Sequence, residues 1–229
     1  MIIGNLFQQF YNMADSIIVG NLVGEDALAA VGASYSFTTV FIMIAIGGGI
    51  GASVLASQYL GAGHYKEMKS SVYTFLITFA VFSTLLAVLG FFINPTVLRL
   101  LKTPENILPE AVEYLQIYFA GLPFMFMYNI LSADFNALGR SKIPLFLLIF
   151  SSILNIVLDF WMVGGLGMGV SGAAAATVIA QGLAAVISFC ILMWLLSSYP
   201  AEGRTAWFRR DMFATGVKIA VPPSCSSRL

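Results

Sequence analysis

The stretch "SILNIVLDFWM", residues 152–162, is apolar enough to cross a bilayer, yet it carries Asn155 and, one helical turn later, Asp159. An ionised aspartate at the centre of a membrane helix costs about 2.5–3.5 kcal/mol even on the lenient insertion scale. An acid kept in such a place points to a function. A spacing of four residues puts both side chains on one helical face. The whole chain has the same character. Of its 229 residues 59% are hydrophobic and only 10% charged, and the mean hydropathy of +0.89 is that of a membrane protein.

About 20 apolar residues span the hydrocarbon core as helix. Working outward from 152–162, six runs reach that length, at about 2–23, 30–59, 70–93, 109–138, 144–164 and 170–197. Lipid offers backbone amides no water, so the runs are helices and the fold class is an all-α six-helix membrane bundle over residues 1–200. If the N-terminus is cytoplasmic, the inner connections carry seven basic residues (Lys66, Lys69, Arg140, Lys142, Arg204, Arg209, Arg210) and the outer ones two, Arg99 and Lys102. That asymmetry obeys the positive-inside rule.

Two connections are longer than turns. "NPTVLRLLKTPENILPE" (94–110) starts at a proline break and reads as a short helix lying in the outer interface. "GRTAWFRRDMF" (203–213) mixes Trp207 and Phe208 with arginines, and residues 201–213 read as an amphipathic cytoplasmic linker. A seventh run opens at 214 and stops at Leu229, so the chain reads as a fragment of a longer protein.

Polar residues inside the spans fall in stripes. Asn5, Gln8, Asn12 and Asp15 share a face of the first helix. Tyr118, Met125, Asn129, Ser132 and Asn136 share one on the fourth, and Thr177, Gln181 and Ser188 one on the sixth. Such stripes face one another around a cavity rather than facing lipid. For a single Ser, Thr or Asn, hydrogen bonding between helices is the simpler role, but that role seldom requires a charge. Asp15 and Asp159 lie at comparable depth, and two carboxylates in one pocket suit the uptake of a proton or a small cation. Asp134 stands apart, about one turn from the Gly139–Lys142 turn, where Arg140 or Lys142 can reach it, and reads as structural.

Several function classes are excluded. Eleven basic residues balance eleven acidic ones, which leaves no field to attract nucleic acid. Cys190, Cys225 and the single His64 have no metal-ligand spacing. "GGGIGA" (47–52) has no preceding strand for a dinucleotide fold, and its small residues suit close helix packing. "GVSG" (169–172) lacks a membrane histidine to activate a serine, so Ser171 reads as a helix cap. No GxGD precedes Asp159, which argues against an aspartyl protease and against an enzyme generally.

Five segments together, "NLFQQFYNMADSIIVGNLVGEDALAAVG" (5–32), "GIGASVLASQYLGAGHYKEMKSSV" (49–72), "LLKTPENILPEAVEYLQIYFAGLPF" (100–124), "NALGRSKIPL" (136–145) and "GVSGAAAATVIAQ" (169–181), closely resemble the multidrug and toxic compound extrusion (MATE) transporters. The resemblance implies one lobe of a two-lobe, twelve-helix antiporter of the inner membrane. Such a protein exports cationic, amphipathic compounds against Na⁺ or H⁺ and needs no other cofactor. It further implies a cation site at Asp15, Asn155, Asp159 and Thr177, with Tyr118 as its tyrosine and Tyr114 and Tyr128 as neighbours on the same helix. Gln8, Asn12, Met125, Asn129 and Gln181 would line the substrate cavity. A lipid-linked saccharide flippase shares the architecture, but it would need basic residues for a pyrophosphate and none lies inside the six runs. A non-transporting or half-size membrane subunit is the third alternative.

Overall fold

The computed structural model describes residues 16–200 and 205–220. They form a helical bundle. In chain order the elements are α1 (residues 16–22), α2 (Glu25–Gly61), α3 (Tyr65–Leu100), α4 (Leu108–Ala137), α5 (Lys142–Asp159), a π-helical turn (Phe160–Gly165), α6 (Gly169–Ser197) and α7 (Arg210–Ala220). No strand occurs among the described residues. Five of the helical segments are long and apolar enough to cross a membrane: Phe37–Gly61, Tyr65–Leu100, Leu108–Ala137, Lys142–Gly165 and Gly169–Ser197. The first expected run lies mostly outside the described residues.

Helix α4 is the centre of the bundle, packed against α2, α3 and α6, while α5 leans on α6. Its Leu115, Phe119, Leu122, Phe126, Ile130 and Leu131 are fully buried. Small residues set the closeness of the neighbours. Gly48 of α2 lies against the Phe79 ring, and a methyl group at Gly49 would stand 3.3 Å from the Ala133 Cβ. The expected packing role of "GGGIGA" is what the coordinates show. Outward, the bundle is inverted relative to a water-soluble protein. Large apolar side chains such as Phe92, Phe146, Val157 and Trp194 are exposed, whereas Ser34, Thr74, Ser83, Asn155 and Asp159 are buried. Lipid is the solvent that makes this arrangement stable.

The hydroxyls largely serve their own helices. Ser34 donates to the Ala30 carbonyl at 2.9 Å, Thr78 to Thr74 at 2.7 Å and Ser152 to Leu148 at 2.8 Å. Bonding back to the preceding turn satisfies a polar group inside lipid without a second helix.

A second correction concerns 94–110. No break and no separate interfacial helix follow Asn94, because α3 continues through Pro95 to Leu100. Proline has no N–H for the carbonyl four residues back, here that of Phe91. Asn94 supplies the missing donor, its Nδ2 reaching the Phe91 oxygen at 3.1 Å. A fully buried side chain thus repairs the ladder at the position where proline opens it. The extension to Tyr65–Leu100 also takes in Lys69, which is buried, so the expectation that no base lies within a span fails there.

Near the linker, residues 205–209 are not helical and α7 begins at Arg210. The Arg209 backbone N–H donates to Thr74 Oγ1 at 3.0 Å, pinning this segment to α3. The Arg209 guanidinium clasps both carboxylate oxygens of Asp211.

Candidate functional site

Asp159 is the last residue of α5, and the chain then widens into the π-helical turn. The Leu166 N–H donates to the Trp161 carbonyl at 2.9 Å, five residues back. Such turns expose or redirect groups that a regular ladder would hold, and they recur at functional sites. The wide turn needs a close neighbour without a side chain. A Cβ at Gly172 on α6 would come within 2.9 Å of the Met168 Cβ and 3.3 Å of Val163. Gly169, at φ 60°, brings the chain into α6 so early that Ser171 lies inside the helix, its Oγ donating to the Met168 carbonyl at 2.8 Å. The reading of Ser171 as the cap is therefore corrected, because Met168 holds the N-cap position without a side-chain bond.

Asn155 and Asp159 are both fully buried. They meet Thr177 of α6 through one amide. With Oδ1 toward α6, Asn155 accepts from the Thr177 N–H at 3.1 Å and from its hydroxyl at 3.3 Å, and its Nδ2 donates to Asp159 Oδ2 at 3.1 Å. The opposite orientation retains only the 3.3 Å contact to the hydroxyl and turns a carbonyl oxygen toward a carboxylate. The hydrogen-bonding pattern decides between the two. The amide is thus a bridge: it orients the carboxylate and fixes α5 against α6 at the level of the π turn. Two oxygen-bearing side chains, Asp159 and Asn155, and the Thr177 hydroxyl converge in a dry place. Hard oxygen donors of this kind suit a proton or a monovalent cation.

On α4, Tyr118 and Met125 are buried. Gly121, between them, packs directly on Val178, the neighbour of Thr177. The α4 stripe therefore runs past α6 at the depth of Thr177. Tyr118 stacks on Tyr114, with ring centroids 6.4 Å apart. Asn129 is half-buried and spends its Nδ2 on the Met125 carbonyl at 2.8 Å, and Gln181 is half-buried on α6. The structure thus joins Asn155, Asp159 and Thr177 by hydrogen bonds and sets Tyr118 and Met125 on the facing helix. Asp15, Gln8 and Asn12 lie outside the described residues. No three His, Cys, Asp or Glu side chains converge on a metal-ion site among the described residues.

Asp134 does not pair as expected. Arg140 and Lys142 are exposed, and neither oxygen of this fully buried carboxylate has a hydrogen-bond partner. Sequence reasoning also missed the π turn, which only the pair Gly164–Gly165 hints at, and the role of Asn94.

The MatE family model matches residues 1–161. The chain is 36% identical over 184 residues to the probable multidrug resistance protein YpnP of Bacillus subtilis, covering 80% of this chain and 41% of that protein. It is 25% identical over 231 residues to the multidrug export protein MepA of Staphylococcus aureus, covering 97% of this chain and 49% of that protein. It superimposes on a MATE crystal structure in the straight conformation with a TM-score of 0.85 and 25% identity, covering 96% of this chain and 49% of that one. The chain spans about half the length of the curated relatives it matches.

Proposed function

Because the chain belongs to the MATE family of membrane transporters, we propose that it forms one lobe of a secondary transporter that exports cationic or amphipathic compounds in exchange for Na⁺ or H⁺. The observation that carries this reading is the buried carboxylate of Asp159, held by the Asn155 amide against Thr177 at the start of a π turn. Asp159 and Asp15 are the cation-holding pair, with Asn155, Thr177 and Tyr118 completing the site. With no cation bound, two acids in a low-dielectric pocket repel each other and demand solvation. Binding a positive ion from the outer side removes both costs. The first helix then shifts, the cavity narrows and substrate leaves outward.

Substrate and cation thereby compete for one conformation, as alternating access requires. Gln8, Asn12, Met125, Asn129 and Gln181 line the substrate cavity, where thioether and amide groups accept varied shapes. The other lobe comes from further sequence of the same polypeptide. The protein sits in the cytoplasmic membrane with its N-terminus inside, as the seven-to-two distribution of basic residues supports. No enzymatic step is involved.

Efflux of a fluorescent cation from energised vesicles containing the full-length protein tests the assignment. Asp159→Asn keeps size and shape but loses the charge, and efflux falls to background. Undiminished efflux in that variant removes Asp159 from coupling.

A further inference from the structure

At the end of the bundle where α3 begins lies an open cleft of about 460 Å³, lined by Lys69, Tyr73, Thr205 and Trp207. Lys69 is only 9% exposed. Its Nζ donates to the Tyr199 carbonyl at 2.9 Å, and no carboxylate comes within ion-pair distance of it among the described residues. An ammonium has three donors and one is used. Burying a cation without a counter-ion is costly, so a cleft beside it attracts an anion. The Arg209 guanidinium, on the same segment as Thr205 and Trp207, is occupied by Asp211.

One turn along α3 from Lys69 the lining becomes aromatic. The rings of Tyr73 and Trp207 stack with centroids 5.2 Å apart and planes 21° from parallel. Trp207 is nevertheless 70% exposed, and Phe208 beside it is exposed too. An indole held flat at the end of a membrane helix, with one face outward, is the arrangement found at the lipid–water boundary. A buried ammonium, a Thr205 side chain and an interfacial tryptophan around one cleft match the parts of a phospholipid head: phosphate, glycerol oxygens and the start of the acyl chains.

We propose that this cleft is a binding site for the phosphate of an anionic phospholipid, held by Lys69 and flanked by Trp207. The linker before α7 is thereby fastened to α3 by lipid as well as by the Arg209–Thr74 hydrogen bond. The site is independent of the transport reading, since it uses none of the residues of the cation site.

Equilibrium binding of labelled phosphatidylglycerol and phosphatidylcholine to the purified full-length protein in detergent tests it. The protein prefers the anionic lipid, and Lys69→Gln weakens phosphatidylglycerol binding about five-fold, the worth of one lysine at such a surface. Phosphatidylcholine, whose choline offsets the charge of the same phosphate group, loses less affinity than phosphatidylglycerol does, and Lys66→Gln, at an exposed position, has less than half the effect of Lys69→Gln. Lys69→Arg retains the preference, which guards against a Lys69→Gln variant that fails to fold. Equal binding of the two lipids by the wild-type protein overturns the proposal, as does loss of the preference in Lys69→Arg. If inorganic phosphate displaces the lipid and binds as well as it does, the source is phosphate from solution and the lipid assignment fails.

Discussion

Replacing Asn155 with leucine conserves volume but deletes the bridge between α5 and α6. The variant loses the donor to Asp159 Oδ2 and the acceptor of the Thr177 N–H and hydroxyl, contacts of 3.1, 3.1 and 3.3 Å. A hydrogen bond to a charged group is worth about 1.5–3 kcal/mol and a neutral one about 1 kcal/mol. Burial is complete, so water cannot replace the amide. Asn155→Leu therefore destabilises the fold by about 3 kcal/mol, roughly a hundred-fold in the folding equilibrium. Thr177→Val loses only the hydroxyl and costs about 1 kcal/mol. In the double variant the hydroxyl has already lost its partner, so the two effects fall short of additive by about 0.5–1 kcal/mol. Detergent-driven unfolding followed by circular dichroism measures all four proteins. Strict additivity, or an Asn155→Leu variant as stable as the wild type, refutes the bridge.

Asn94→Leu removes the donor that serves the carbonyl opposite Pro95 and costs about 1–3 kcal/mol by the same assay; an unchanged midpoint shows that the proline is accommodated otherwise. Asp134→Leu stabilises the protein by about 1–3 kcal/mol, because a buried carboxylate without a partner contributes only its desolvation. Efflux by that variant stays near wild-type level, and a transport defect would show a role in coupling. At the start of α7 the Arg209 guanidinium holds the Asp211 carboxyl below the usual carboxylate range. A lowered pKa gives a contribution that is complete above the ordinary value near 3.9 and is lost as pH falls through the lowered one. Asp211→Asn therefore exchanges faster in α7 at neutral pH, after correction for intrinsic rates, by a factor that does not change with pH in that range. The difference between the two proteins closes only in acid, and a difference that closes between pH 6 and 8 contradicts the pairing.

Much of the bundle is legible in the sequence because lipid permits only one backbone solution for a long apolar run. The fourth, fifth and sixth runs coincide with α4, α5 with its π turn, and α6 to within a few residues. The ends were harder to place. The second apolar run opens at about residue 30, yet α2 starts at Glu25, and Glu25 and Asp26 sit in its first turn, where the helix dipole favours acids. Pro95 was read as a break, since composition alone does not show that the residue before it can donate in its place. The spacing of Asn155 and Asp159 gave their common face, but a one-dimensional pattern cannot show that Thr177, 22 residues beyond Asn155, completes the bridge. Asp134 shows the converse error. Proximity in sequence to Arg140 and Lys142 suggested an ion pair, but both bases project to the surface while the acid points into the core.

The cation site is tested most directly by what leaves the protein when substrate arrives. Full-length protein in lightly buffered detergent, loaded with protons or with radioactive Na⁺, is mixed with a transported cation while pH and free Na⁺ are followed. The wild-type protein releases one of the two ions and Asp159→Asn releases neither. Release of the same ion in the same amount by both proteins would contradict the assignment of Asp159 as the coupling acid.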